Sequence, residues 1–381
     1  MDFTWSDEQL ALKRSIIEFA GATLNDGLLD DDRAGRFPRE RWAKCAEFGI
    51  LGLPVPEELE GSGFDPLTTM LAMEALGYAC RDNGLIFALN AQMWAVQTPI
   101  QRFGSPEQKT RYLPAMVRGD IIGAHAITEP GSGSDAFAMS STATRRGDCY
   151  VLNGTKTFVS NSPVADLFLV FATTNRARGF MGVTAFLLDK GHPGLSVGKP
   201  IEKMGLRTAP YAEVILDDCE VPVSARLGGE GNGGTIFKHS MGWERSCILA
   251  SHVGAMQRQL ETCVEYAKTR HQFGQAIGKN QSVSSMLVDM KLRLETSRLL
   301  LYHAGWLRSQ GQEAVAEVAL AKLHLSESFV QSSLQAIQIH GGYGYSTEFG
   351  VERDLRDALG GRIYSGTSEI QRDIIARSLG L

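Results

Sequence analysis

The stretch FKHSMGWERSCILASHVGAM, Phe237 to Met256, carries a single acid, Glu244. Phe237, Met241, Ile248 and Leu249 stand one or two turns away on overlapping faces, so this carboxylate occupies a place where a helix expects apolar contact. Apolar surroundings raise a carboxylate's pKa and suit it to take a proton. The ordinary alternative is a solvated helix carboxylate. A second stretch, RIYSGTSEIQRDIIARSLGL, runs from Arg362 to Leu381. Its Tyr-Ser-Gly-Thr turn opens an amphipathic helix that Thr367 can cap, with Ile370, Ile374, Ile375 and Leu379 on one side. Ser365 in that turn has no histidine beside it in sequence, and an unactivated hydroxyl is a weak base.

Other segments favour binding. Thr128-Glu129-Pro130-Gly131-Ser132-Gly133-Ser134-Asp135 gathers hydroxyls and glycines, so its backbone N–H groups can approach a phosphate or a flat ring. Alone it would read as a surface turn. It is accompanied by NGTKTFVSNSPVAD (Asn153 to Asp166), RHQFG (Arg270 to Gly274), QIHGG (Gln338 to Gly342) and the final Gly366-Thr367. Gly229 to Gly234 matches GxGxxG, but a long helix pattern follows it and no second strand with an acid does; a flexible loop opening a helix is the better reading. No histidine spacing suggests a metal site.

Three zones must position these residues. Residues 1–120 read as helices. Ser6 with Gln9, and Ser105 with Gln108, form capping-box patterns, the second with Pro106 at the first helical position. Residues 121–228 switch to short β-type runs, including DLFLVFATT, GVTAFLLDK and AEVILDD. Asn153-Gly154 predicts a hairpin turn, and the zone predicts a small antiparallel barrel or sandwich. Residues 229–381 contain no proline and show 3.6-residue periodicity from Ile236 to about Arg270, Gln281 to Gln310 and Glu313 to Ile339. That predicts a helical bundle.

These ordered segments, with GSPEQKTRYLPAM (Gly104 to Met116) and KMGLRTAPYAEVILDDCEVP (Lys203 to Pro222), together resemble the acyl-CoA dehydrogenase family over essentially the whole chain. The resemblance implies an α+β fold of helical domain, β-barrel domain and C-terminal four-helix bundle. It implies non-covalent FAD, and a dimer or tetramer with FAD at a subunit interface. Carried over by matching positions, Ile127, Thr128, Gly133, Ser134, Phe158 and Ser160 would meet the flavin, with Ser134 also at the thioester entrance. Arg270, Gln272, Phe273, Gln281, Gln338, Gly341 and Gly342 would reach a neighbouring subunit's cofactor. Thr367 and Glu369 lie in the last cofactor-contacting segment.

Such enzymes remove a proton next to a thioester carbonyl while a hydride leaves the β-carbon for the flavin. Most members carry the base where Ser365 stands here. Some, such as isovaleryl-CoA dehydrogenase, carry it immediately before an arginine on an earlier helix, and Glu244-Arg245 matches that arrangement. The resemblance therefore makes Glu244 the catalytic base and places Trp243, Arg245, Ser365 and Gly366 in the substrate pocket. Trp243 either shortens that pocket or packs; Arg245 either shapes it or pairs with an acid. Glu129 is expected to organise its loop.

The segments around Glu244 and Ser365 look most like a natural-product branch that oxidises prolyl thioesters on carrier proteins. A soluble short- or branched-chain acyl-CoA dehydrogenase and a flavin-binding scaffold without activity are the alternatives. Pantetheine and thioester are common to carrier and CoA substrates, so these motifs do not separate them, and the electron acceptor is not legible. A net charge of −5 argues against nucleic acid, and no apolar run approaches a membrane span of roughly 20 residues. An acidic N-terminus and six dispersed cysteines predict a cytoplasmic protein with free thiols.

Overall fold

The computed structural model describes residues 4–381; Met1 to Phe3, part of the acidic N-terminal reading, lie outside them. Helices α1 (Asp7–Thr23), α2 (Leu28–Ala34), α3 (Arg39–Glu47), α4 (Pro66–Ala79), α5 (Asn83–Gln92), α6 (Thr98–Phe103) and α7 (Pro106–Val117) come first. Both capping boxes form as expected, at Ser6 and at Ser105. Between α5 and α6, Met93–Gln97 makes a π-helical turn. Pro99 follows two residues on; lacking an N–H and crowding the carbonyl four residues back, it is answered by the wider turn.

The middle zone holds β1 (Gly123–Ala126), β2 (Thr142–Arg146), β3 (Cys149–Ser160), β4 (Leu167–Thr173), β5 (Val183–Asp189), β6 (Leu195–Val197), β7 (Tyr211–Pro222) and β8 (Arg226–Leu227). They form one sheet in the order β6-β7-β3-β2-β4-β5-β8, with β1 added on β4. The expected antiparallel barrel or sandwich is corrected here: β1 and β2 pair with β4 in parallel, and the strand path does not close. Every residue of β4 is buried, which explains its unbroken apolar run.

The Asn153-Gly154 hairpin does not form. β3 runs straight through the pair, which marks a register shift against β7. A full-length partner strand outweighs the local turn preference, and a Cβ on Gly154 would lie 2.1 Å from the Ser141 hydroxyl oxygen. The real hairpin joins β2 and β3 at Gly147-Asp148, with Gly147 at φ 60°.

The rest is helical apart from a small β9 (His271–Gln272) and β10 (Gln275–Ala276) hairpin: α8 (Gly233–Cys247), α9 (Ala250–Thr269), α10 (Gln281–Ser309), α11 (Val315–His340), α12 (Gly342–Tyr345), α13 (Val351–Gly360) and α14 (Ser368–Ser378). The single helix expected from Ile236 to about Arg270 is broken at buried Ile248 and Leu249 into α8 and α9. α9, α10 and α11 pack on one another, and α11 also carries α13 and α14. One apolar core spans the first helical zone and this bundle. α4 and α9 cross at two glycines: a Cβ on Gly77 would lie 1.9 Å from the Ser251 carbonyl oxygen, and one on Gly254 2.0 Å from that of Glu74.

Candidate active site

α8 presents Glu244 in its last turn, and the loop before α14 crosses it. Although 121 positions separate them, the Ser365 hydroxyl donates to a Glu244 carboxylate oxygen in a short hydrogen bond. This is the carboxylate's only protein donor among the described residues. Burial raises the Glu244 pKa above the ordinary carboxylate value, while Ser365, Arg245 and Lys322 pull in the other direction.

The loop that delivers Ser365 is held from three sides. Arg245 Nε donates to the Ser365 carbonyl at 2.8 Å, and Lys322 Nζ donates to the Gly366 carbonyl at 2.8 Å. Gln371 Nε2 reaches both carbonyls, at 3.4 and 2.9 Å. Thr367 caps α14 as expected, its hydroxyl accepting from the Ile370 N–H at 3.3 Å. Arg245 forms no ion pair with Glu244, so it shapes the loop instead of neutralising the acid. Tyr364 packs against Phe87 with centroids 4.8 Å apart, and its hydroxyl hydrogen bonds His252 at 3.1 Å. Beside Glu244, Trp243 stacks on buried Trp94 at 5.9 Å with planes 8° apart, and Arg308 lies 5.0 Å over the Trp243 ring.

A second group sits on the sheet. The Thr128 carbonyl accepts the Thr157 N–H at 2.8 Å, which sets the glycine loop beside the end of β3. Phe158 is 60% exposed at φ 54°, a left-handed backbone unusual for a bulky residue. Among the described residues, the hydroxyls of Thr128, Ser134 and Ser160 bond no other protein group. An exposed ring beside uncommitted hydroxyls fits a flat, polar-edged cofactor such as FAD. Ile127 is buried behind them, and Gly133 and Ser134 are exposed. α5 ties this group to Glu244: Phe87 meets Tyr364, and the adjacent Ala88 carbonyl accepts from Asn161 at 3.0 Å.

Glu129 does organise its loop. It accepts from the Ser140 N–H and hydroxyl, both at 2.5 Å, from the Ser141 N–H at 3.0 Å and from Lys156 Nζ at 2.7 Å. Burial alone would raise its pKa, but Lys156 and the two serines outweigh this and bring it to about 2. Burial also pulls Lys156 downward against the ion pair.

A third group lies apart. Arg270, Gln272, Gly341 and Gly342 line one surface cleft with Tyr343, over whose ring the Arg270 guanidinium sits at 5.8 Å. Phe273 projects from the same hairpin, 97% exposed. Gln281 opens α10 and Gln338 lies on α11, both exposed and neither lining that cleft. Among the described residues, no hydrogen bond or ring contact joins these residues to Thr128, Phe158 or Ser160. Glu369 is exposed beside Arg372 at 3.7 Å.

Sequence reasoning missed Lys322, Gln371, Trp94 and Arg308. Lys322 had a signal: it shares a helical stripe with Val318, Leu325 and Phe329, all buried. The other three had none, because tertiary packing alone brings them to the site.

Three family models cover the chain: the N-terminal domain of acyl-CoA dehydrogenase matches residues 6–120, its middle domain 124–219 and its C-terminal domain 231–380. The L-prolyl-[peptidyl-carrier protein] dehydrogenase of Serratia sp. is 47% identical over 386 residues, covering 100% of this chain and 99% of that protein. The chain belongs to the acyl-CoA dehydrogenase family. Within that family, the crystal structure of the prolyl acyl carrier protein oxidase AnaB is similar at a TM-score of 0.98 and 49% identity, covering 99% of this chain and 100% of the other. The structure of PigA with FAD and proline is similar at a TM-score of 0.98 and 46% identity, with 100% of both chains covered. As an acyl-CoA dehydrogenase family member with serine in its last loop, the chain keeps a carboxylate against that same loop, on α8.

Proposed function

We propose that this chain is an FAD-dependent dehydrogenase of a prolyl thioester carried on a peptidyl carrier protein, with Glu244 as its base. The observation that carries the reading is the meeting of Glu244 with Ser365: a carboxylate of raised pKa reaches the loop from which other family members present theirs. Full-length likeness to enzymes named for prolyl carrier substrates supports the choice of thioester.

Glu244 takes the proton from the carbon next to the thioester carbonyl. Its raised pKa makes it a stronger base than an exposed carboxylate, and its single hydrogen bond leaves lone pairs for the proton. The Trp94–Trp243 stack beside the base favours a compact acyl group. Bound FAD supplies the hydride acceptor. Ile127, Thr128, Gly133, Ser134, Phe158 and Ser160 would hold its ring. Thr367 and Glu369 would lie beside it, and a second copy of the chain would contribute Arg270, Gln272, Phe273, Gln281, Gln338, Gly341 and Gly342. The separation of that third group and its exposed Phe273 support a homodimer or a dimer of dimers. Among the described residues no helix is long and apolar enough to cross a membrane, and all six cysteines are unpaired, which supports a cytoplasmic enzyme.

The test is anaerobic stopped-flow bleaching of the flavin by L-prolyl carrier protein and by a short-chain acyl-CoA. Rapid bleaching by the loaded carrier and slow bleaching by the acyl-CoA is the expected result. The reverse preference would make the chain an acyl-CoA enzyme, and retained FAD with no bleaching by either would make it a scaffold.

A further inference from the structure

Lys322, the eighth residue of α11, is 1% exposed. A buried ammonium is costly unless its surroundings compensate it, yet Lys322 forms no ion pair among the described residues and has one bond, to the Gly366 carbonyl at 2.8 Å. That carbonyl already receives Gln371 Nε2 at 2.9 Å. A neutral side chain at 322 would therefore leave it satisfied, and what lysine adds is charge.

The charge has a target. Ser365 sits at φ 55°, a left-handed backbone that is strained for a non-glycine residue. Such a conformation persists when its surroundings over-determine it, and here Arg245, Lys322 and Gln371 all grip the carbonyls of Ser365 and Gly366. Two of these three donors are cations, and both bind backbone oxygen, not the acid. They lend the carboxylate favourable potential without occupying its lone pairs.

We propose that Lys322 is a positioning residue for the base, adding a charged hold on the Ser365–Gly366 turn beside Glu244 while its charge favours the carboxylate form without occupying the carboxylate's lone pairs. This rests on the reading of Glu244 as the base. The charged and titratable groups that act on Glu244 are Arg245 on α8, Lys322 on α11 and Tyr364 before α14, while Glu327 and Glu369 act on Lys322. His252 on α9 is held down to about 3 by burial and by Lys322, and stays neutral. Burial and Arg245 bring Lys322 itself to about 8 against the pull of Glu327, Glu244 and Glu369, so it is charged at neutral pH.

The experiment compares the FAD-loaded wild type, Lys322→Met and Gln371→Leu by two readouts. One is the pH dependence of anaerobic flavin reduction by prolyl carrier protein. The other is the infrared band of the protonated Glu244 carboxyl, assigned by its loss in Glu244→Gln. Lys322→Met is expected to raise the midpoint by about one pH unit in both, the effect of removing one nearby opposite charge. Its rate below the midpoint falls about tenfold and recovers at higher pH. Gln371→Leu, which removes a neutral donor, slows reduction without moving the midpoint. If Lys322→Met does not fold, Lys322→Gln carries the same expectation. An unmoved midpoint in the lysine variant, or an equal shift in Gln371→Leu, overturns the proposal. Flavin reduction surviving in Glu244→Gln instead removes the base assignment beneath it.

Discussion

Glu129 and Glu244 are the same side chain in opposite electrostatic situations. Glu129 is 3% exposed, yet three serine donors and Lys156 hold it at about 2. Glu244 has one donor, and its nearest cations face a backbone loop, so burial prevails and its pKa rises. Burial penalises both, and donor geometry decides the outcome. A carboxylate whose lone pairs are all committed holds a loop; one whose countercharges stand behind other groups can accept a proton.

The hardest way to break this contrast is Glu244→Gln. The amide nearly preserves shape but cannot take the α-proton, so anaerobic flavin reduction is expected to fall by about 10²–10⁴-fold or more with FAD still bound. Near-normal reduction would erase the distinction between the two acids. Next comes Lys156→Met, which strips the ion pair from Glu129. Leaving a buried carboxylate without its countercharge is expected to cost about 3–5 kcal/mol, read from denaturant melts. A smaller effect needs no mutation. Glu129 has a depressed folded pKa, so its contribution is present above its ordinary value of about 4.5 and is lost as pH falls toward about 2. That contribution is about 3 kcal/mol, and an acid melt that lacks a matching loss in this window would contradict the pairing. Ser365→Ala should be mildest, slowing reduction about tenfold, the low end of what one hydrogen bond to a charged group contributes.

Much of this was legible in the chain. Capping boxes at Ser6 and Ser105 and the Thr367 cap are local signals, and they survive into the fold. The long helices α10 and α11 follow their periodicity to within two residues of the expected ends. What failed was non-local. Asn153-Gly154 has the chemistry of a turn, but β7 is not visible from those two residues. The parallel pairing of β1 with β4 and the break at Ile248-Leu249 are likewise set by tertiary contacts. Glu244 was found through family resemblance and an apolar helix face. Its contact with Ser365 closes a loop of 121 positions that no periodicity reports.

The glycine crossing of α4 and α9 bears on how such a chain can be recombined. Family boundaries invite grafting the helical front of one relative onto the bundle of another. Here the graft would fail unless both parents bring a residue without a side chain to the same point, because either Cβ would stand within 2.0 Å of backbone oxygen. A second seam is polar. Asn83 of the front donates to Asp357 of the bundle, which also accepts the Leu206 N–H from the linker before β7. The three segments behave as interlocking pieces cut for one another, and the natural unit of exchange is the whole chain.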